Sequence, residues 1–210
     1  MSIRFDLVSK RYAEGREALA DISFEIGYGE MVYVTGHSGA GKSTLLKLLA
    51  LIEQPSAGVI EAFGKPLAQI RRRTLPAYRR RLGLVFQDHR LLMDRNAYEN
   101  VALPMRLDGV AESDITPRVL SALEQVGLGG RERALPAELS TGEQQRLGIA
   151  RALAGSPDLI LADEPTGNLD PKLAAEIMHL FVSVKEQGTT VIVASHDLPL
   201  IQRMKRRTLV

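Results

Sequence analysis

The chain has 210 residues, 45% of them apolar and 25% charged, a balance that excludes a disordered, collagen-like or fibrous protein. With 27 Lys+Arg against 25 Asp+Glu the net charge is +2, which gives no signal for nucleic acid. Cysteine is absent, so disulfide scaffolds, thiolate zinc sites and thiol catalysis are excluded together. No apolar run approaches the ~18–20 residues needed to cross a bilayer. Met1-Ser2-Ile3-Arg4-Phe5-Asp6 has no basic region followed by an apolar one, so the expectation is a protein kept in the cytosol.

In chain order, Ile3, Phe5 and Leu7 alternate with polar residues, and the pattern repeats from Leu19 to Ile26, which predicts two strands. Met31-Val32-Tyr33-Val34-Thr35 is a compact apolar strand ending at Gly36. Leu45, Leu46, Leu48 and Leu49 predict a helix over 42–52, ended by the turn Pro55-Ser56-Ala57-Gly58. Arginines follow at 71–73 and 79–81, then the strand Leu82-Gly83-Leu84-Val85-Phe86. From about 88 to 156 the sequence reads as mainly helical, punctuated at Pro104, Gly109, Gly127, Gly129-Gly130 and Pro136. Strands return at 159–162 and 191–194, flanking a helix over 171–187. Short apolar strands alternating with helices predict an α/β fold, a parallel sheet covered on both faces, with the middle helices as an insertion.

Gly36-His37-Ser38-Gly39-Ala40-Gly41-Lys42-Ser43 fits G-x-x-x-x-G-K-[ST] at every specified position, directly after a strand and opening a helix. Glycines let backbone N–H groups turn inward as an anion nest at a positive helix terminus. Lys42 then reaches the β- and γ-phosphates of a nucleotide, and the Ser43 hydroxyl coordinates Mg²⁺. The competing reading is a glycine-rich turn with an incidental Lys-Ser. Gly27-Tyr28-Gly29 lacks a third glycine at Val32, so a dinucleotide fingerprint is not supported.

Leu159 to Ala162 runs into Asp163-Glu164, two carboxylates at the strand edge where ligands bind in open parallel sheets. Asp163 is the candidate for the Mg²⁺ shell and Glu164 for polarising the attacking water. In Leu139-Ser140-Thr141-Gly142-Glu143-Gln144, Ser140 with Glu143 three residues later is by itself an N-cap. Ser140 and Gly142 also offer N–H groups and a helix dipole to an anion. The arginine runs read first as solvated faces, with lipid headgroups as the lesser alternative.

These motifs, with Gln87 after a strand, Asn168-Leu169-Asp170 and His196, stand in the order of ABC-transporter ATPase subunits and span nearly the whole chain. The runs 36–42, 86–95 and 163–170 resemble most the FtsE family of cell-division ATPases. The resemblance implies a P-loop NTPase (RecA-like) core with a parallel sheet, an N-terminal antiparallel β subdomain and an inserted α-helical subdomain. It divides the single ABC ATPase domain, 1–210, into a nucleotide-binding core (about 1–87 and 157–210) and a helical subdomain (about 88–156). It implies ATP and Mg²⁺ as cofactors and Glu164, His196 and Gln87 as catalytic residues. Nucleotide would be bound by Tyr12 stacking on adenine, by Gly36, His37, Ser38, Gly39, Ala40, Gly41, Lys42, Ser43 and Thr44, and by Ser140 and Gly142. The metal would be held by Ser43, Gln87 and Asp163, and His196 would contact the γ-phosphate. For His89 and His179 a solvated or packing role is the reading.

The resemblance further implies a homodimer across two ATP sites and an integral membrane subunit resembling FtsX, which controls septal cell-wall hydrolases. The ATPase would then sit peripherally on the cytoplasmic face of the inner membrane, with no nucleic acid as partner. The alternative is the ATPase of a lipoprotein-releasing exporter, which shares the run 163–170. DNA-repair or translation ABC proteins need insertions or a second cassette that do not fit this length, and Glu164 argues against a module that only senses ATP. Two departures stand out. Thr141 replaces the usual Gly, a β-branched residue that restricts the backbone. The sequence also stops at Val210, soon after His196, where the family continues through another strand.

Overall fold

Strand side chains alternate between faces with a period of two, so a strand apolar at every position can be buried only if both faces are covered. The computed structural model of the chain describes residues 3–13, 15–167 and 169–210; Asn168, within the motif run 163–170, lies outside the described residues. The elements in chain order are β1 (Ile3–Arg11), β2 (Glu17–Ile26), β3 (Met31–Val34), α1 (Lys42–Leu49), β4 (Ala57–Ala62), β5 (Lys65–Pro66), α2 (Leu75–Arg79) and β6 (Leu82–Val85). There follow α3 (Ala97–Leu107), α4 (Glu112–Gln125), α5 (Thr141–Ala154), β7 (Leu159–Asp163), α6 (Pro171–Glu186), β8 (Thr190–Ala194), α7 (Leu198–Met204) and β9 (Arg207–Leu209).

Five strands form a parallel sheet in the order β6-β7-β8-β3-β9. Met31, Tyr33, Ile160, Ala162, Val191 and Val193 point to one face, into a core shared with residues of α3 to α7. Val32, Val34, Leu159, Leu161, Ile192 and Ala194 point to the other, against α1 and the second sheet. That sheet is antiparallel, in the order β2-β1-β4-β5.

Four local outcomes differ from the sequence reading. Ala57 and Gly58, read as the end of a turn, open β4, because pairing with β1 supplies the order that the pattern of 57–62 lacks. Pro104 sits inside α3 rather than ending it, and α3 stops at Asp108 and Gly109. The chain after His196 does carry a further strand, β9, parallel to β3. Finally, the arginines at 79–81 lie on the surface, as read, but hold specific partners that the sequence did not show. Arg79 donates to the carbonyls of Ala50 and Leu51, Arg80 pairs with Asp108, and Arg81 pairs with Asp158 while lying over the Phe63 ring. Arg71, Arg72 and Arg73 are exposed.

The end of α5 packs directly on the backbone of β6. A Cβ at Gly83 would stand 2.5 Å from the Ala152 carbonyl oxygen and 2.9 Å from the Pro157 ring, so something must shift to admit it. Gly83→Ala is therefore expected to destabilise the chain by about 1–3 kcal/mol, the usual cost of an overpacked core. Urea unfolding of the variant beside the parent measures it, and equal midpoints would refute the close approach.

Candidate nucleotide-binding site

The carboxyl ends of four neighbouring strands, β6, β7, β8 and β3, deliver the candidate groups to one edge of the sheet. Gln87 follows β6, Asp163 ends β7 with Glu164 beyond it, His196 follows β8, and the glycine-rich loop follows β3. Between them lies a cavity of about 810 Å³ whose lining includes Tyr12, Lys42, Ser43, Gln87, Asp163 and Glu164. Residues distant in the chain converge because parallel strands all point their carboxyl ends the same way.

The loop's shape depends on glycine. Gly39 and Gly41 have φ of 82° and 93°, the left-handed region that side chains disfavour. A Cβ on Gly41 would stand 2.3 Å from the Ala18 carbonyl oxygen, so the loop also rests on β2. Lys42 opens α1 and donates to the carbonyls of Gly36 at 2.9 Å and His37 at 3.1 Å. Its ammonium has no carboxylate partner among the described residues and is held beside the loop amides. This combination of N–H nest, helix terminus and mobile cation suits a polyphosphate.

The two carboxylates differ in environment. Burial raises the Asp163 carboxyl above its ordinary value, while the nearby Ser43 hydroxyl opposes that rise. Glu164 sits at φ 48°, a strained conformation for a residue with a side chain, and its N–H donates to the Ala194 carbonyl at 2.9 Å. Its carboxylate Oε1 lies 2.8 Å from His196 Nδ1, with the imidazole far more exposed than the carboxylate. A carboxylate oriented by a third group is the arrangement of a positioned base.

Among the described residues no three His, Cys, Asp or Glu side chains cluster as a metal cage. Ser43 and Asp163 nonetheless bring a hydroxyl and a carboxylate to one cavity, with Gln87 lining it too. Few oxygen donors from the protein, the rest from phosphate and water, is the way Mg²⁺ is held. The residues present fit a magnesium–nucleotide pair.

Tyr12 lines the cavity, its hydroxyl 3.3 Å from Thr44 Oγ1, with the Lys10 ammonium 4.9 Å from its ring centre. His37 keeps its ring on the Ser38 carbonyl, and Ser38, Gly39, Ala40 and Thr44 line the cavity. Ser140 and Gly142 do not line it. Ser140 caps α5 through a reciprocal pair with Glu143 and faces solvent, so one chain does not unite every predicted residue. Sequence reasoning missed Lys10, Arg16, Lys47 and Glu53 at or beside the cavity. Only Lys47 left a signal, being one helical turn beyond Ser43 on α1.

Residues 19–167 match the pattern of the ABC transporter family. Cell division ATP-binding protein FtsE of Escherichia coli is 51% identical over 207 residues, covering 99% of this chain and 93% of the relative. The protein of the same name from Bacillus subtilis is 44% identical, covering 96% and 89%. Among solved structures, the dimeric bacterial ABC transporter cassette MJ0796 superposes with a TM-score of 0.90 at 35% identity, over 95% of this chain and 90% of that one. A dimeric post-hydrolysis state of the same cassette, bound to ADP and Pi, gives 0.89 at 34% identity, over 94% and 89%. No helix of the described chain is long and apolar enough to cross a membrane.

Because burial raises the Asp163 carboxyl, its ionised form is disfavoured in the folded state. At neutral pH it therefore subtracts stability, and the penalty fades as pH falls through its raised folded value. Asp163→Asn, neutral and of the same shape, is expected to melt higher than the parent at pH 7 without nucleotide or metal, with the gain shrinking towards pH 4. Calorimetry across that range checks it; a lower melting temperature at pH 7 would refute the desolvation argument.

Proposed function

The chain belongs to the ABC transporter family and is an ATPase, and from that premise we propose that it drives a membrane complex of the cell-division type as a magnesium-dependent, head-to-tail homodimer. The observation that carries this reading is the convergence of the phosphate loop, Asp163, Glu164, Gln87 and His196 on one cavity that Ser140 and Gly142 do not reach. A second copy is the natural source of that last segment. Residues 1–87 and 157–210 then act as the nucleotide-binding core and 88–156 as the helical subdomain.

In this reading Tyr12 stacks on adenine, since an aromatic face accepts a base without hydrogen bonding. Lys42 and the N–H groups of residues 36–44 hold the phosphates, and Ser43, Asp163 and Gln87 hold the metal. Magnesium, when bound, neutralises phosphate charge as the terminal phosphoryl group is transferred. Glu164 accepts a proton from the attacking water at its carboxylate, while His196 orients Glu164 through Nδ1 and faces the γ-phosphate. Ser140 and Gly142 of the second copy close over the same phosphates and exclude water.

The partner in this reading is an integral membrane subunit resembling FtsX, through which the ATPase, peripheral on the cytoplasmic face of the membrane, controls septal cell-wall hydrolases. The curated relatives named for cell division favour it over the lipoprotein-exporter alternative. A groove of about 390 Å³ lined by Leu84, Phe86, Leu92, Leu103 and Leu107 supports where that subunit docks. Leu91 packs on the core, whereas Leu92 and Met93 are exposed. Apolar exposure beside the segment carrying Gln87 suits a short partner helix.

Glu164→Gln is expected to lower ATP turnover by about 10²- to 10⁴-fold, the contribution of a positioned base, while leaving nucleotide binding intact. Sedimentation of that variant should show dimer with Mg-ATP and monomer with Mg-ADP. Turnover at the parent rate would remove Glu164 as the base, and a monomer under both nucleotides would count against the sandwich. Leu92→Asp should abolish copurification of the membrane subunit while nucleotide binding persists, and copurification by the folded variant would move the docking site elsewhere.

A further inference from the structure

Between Ala62 and Gln87 the chain carries seven cations, Lys65 and the arginines at 71–73 and 79–81, and no carboxylate, although its net charge over 210 residues is only +2. Basic charge is concentrated on this one segment and outweighed elsewhere. The fold neutralises part of it. Arg79 donates to the carbonyls of Ala50 and Leu51, and Arg80 and Arg81 pair with Asp108 and Asp158. Lys65, Arg71, Arg72 and Arg73 have no carboxylate partner among the described residues, and all four are exposed.

Ordered backbone displays these four. The Thr74 hydroxyl accepts from the Arg71 N–H at 3.2 Å and donates to the Arg71 carbonyl at 3.1 Å. The same carbonyl receives the N–H groups of Thr74 and Leu75. This turn runs straight into α2, which Tyr78 anchors by donating its hydroxyl to the Leu49 carbonyl. Lys65 and Thr74 line one groove of about 550 Å³, which brings the lysine beside the arginine turn. A fixed display of charge loses less freedom on contact than a disordered basic tail would.

The place of the turn selects what it meets. α2 rises only about 8 Å, and at its far end Arg79 and Arg80 line the groove of Leu92, Leu103 and Leu107 in which the proposed function docks the membrane subunit. A surface continuous with that groove is turned towards the bilayer that holds the subunit. We propose that Lys65, Arg71, Arg72 and Arg73 form a binding surface for the headgroups of anionic phospholipids in that bilayer, steadying the ATPase against the membrane beside its protein contact. The orientation rests on the docking reading, whereas the basic surface stands without it. Each cation near an anionic leaflet strengthens binding by about fivefold, so the three arginines together contribute about 100-fold. Exposed guanidinium groups without a buried polar floor suit a layer of many headgroups better than one small anion.

Vesicle co-sedimentation of the purified full chain tests it at low ionic strength, with phosphatidylcholine vesicles and with an equimolar mixture of phosphatidylcholine and phosphatidylglycerol. The parent is expected to bind only the anionic vesicles, and less as salt rises. Arg71→Gln, Arg72→Gln and Arg73→Gln together should weaken that binding by about 100-fold, while ATP turnover and copurification of the membrane subunit in detergent persist. The same three changed to Lys should retain vesicle binding, since a headgroup layer responds to charge, whereas a carboxylate site on a protein needs the fork of arginine. Arg203→Gln, Lys205→Gln and Arg206→Gln together remove equal charge from another exposed stretch and should leave vesicle binding largely unchanged. Equal loss in both glutamine triples would reduce the effect to overall charge and overturn the proposal. Parent binding to neither vesicle, or to both alike, would overturn it too. So would a glutamine triple at 71–73 that keeps vesicle binding and loses the membrane subunit, which would assign the turn to an acidic stretch of that subunit. The vesicles carry no protein, so Leu92→Asp should bind them as the parent does; failure of the docking reading would appear in copurification alone, and the two readings fail separately.

Discussion

The constraint from which the site follows is the complete burial of the parallel sheet. β7 and β8 present apolar side chains to both faces, Leu159, Leu161, Ile192 and Ala194 one way and Ile160, Ala162, Val191 and Val193 the other. Such strands have no tolerable place for charge along their length, because an unpaired buried ion costs far more than one apolar contact returns. Polar groups are confined to the ends. Since the strands run parallel, the carboxyl ends share an edge, and Asp163, Glu164, His196 and Gln87 meet the phosphate loop there. The chemistry is a consequence of where the core stops.

The same edge is where the structure departs from its local preferences. Asp163 is a carboxylate partly desolvated at the end of β7, and Glu164 takes a left-handed backbone to bring its carboxylate back over the cavity. Each is a destabilising feature at the end of an otherwise apolar strand. Local conflict of this kind marks functional positions, since a core optimised only for stability would not retain it. The glycines at 39 and 41 belong to the same account: they admit a backbone shape and a closeness to β2 that any other residue would forbid.

The strands of the parallel sheet, except β9, were legible because their apolar runs are short, continuous and bounded by turns, and the phosphate loop because its residues are contiguous. Order created by distant partners was not. Nothing within 57–62 announces β4, whose pairing with β1 lies some fifty residues back. The arginines at 79–81 look like any charged face until Asp108, Asp158 and the carbonyls of Ala50 and Leu51 are brought beside them. Pro104 reads as a breaker, yet a helix tolerates a lost hydrogen bond when tertiary packing holds the turn. Lys10 and Glu53 form a pair across forty-three positions beside Tyr12, and no pattern in either stretch points to the other. Periodicity reports what a segment buries, whereas an ion pair reports what two segments share.

Ser140 and Gly142 show a third kind of legibility. Their sequence is readable as an anion-facing helix start, and the structure builds that start with its capping box intact, yet faces it away from its own chain's cavity. A helix N-terminus presented to solvent, its cap closed between Ser140 and Glu143, adds nothing to its own chain's cavity. In the proposed function the glycine-rich loop and the Lys42 ammonium bind the near side of a polyphosphate and leave its far side to water. In the proposed function the two incomplete sites, each offering N–H groups to an anion, are completed together when a second copy is turned head to tail. The relatives that superpose on this chain include dimers, as that logic requires.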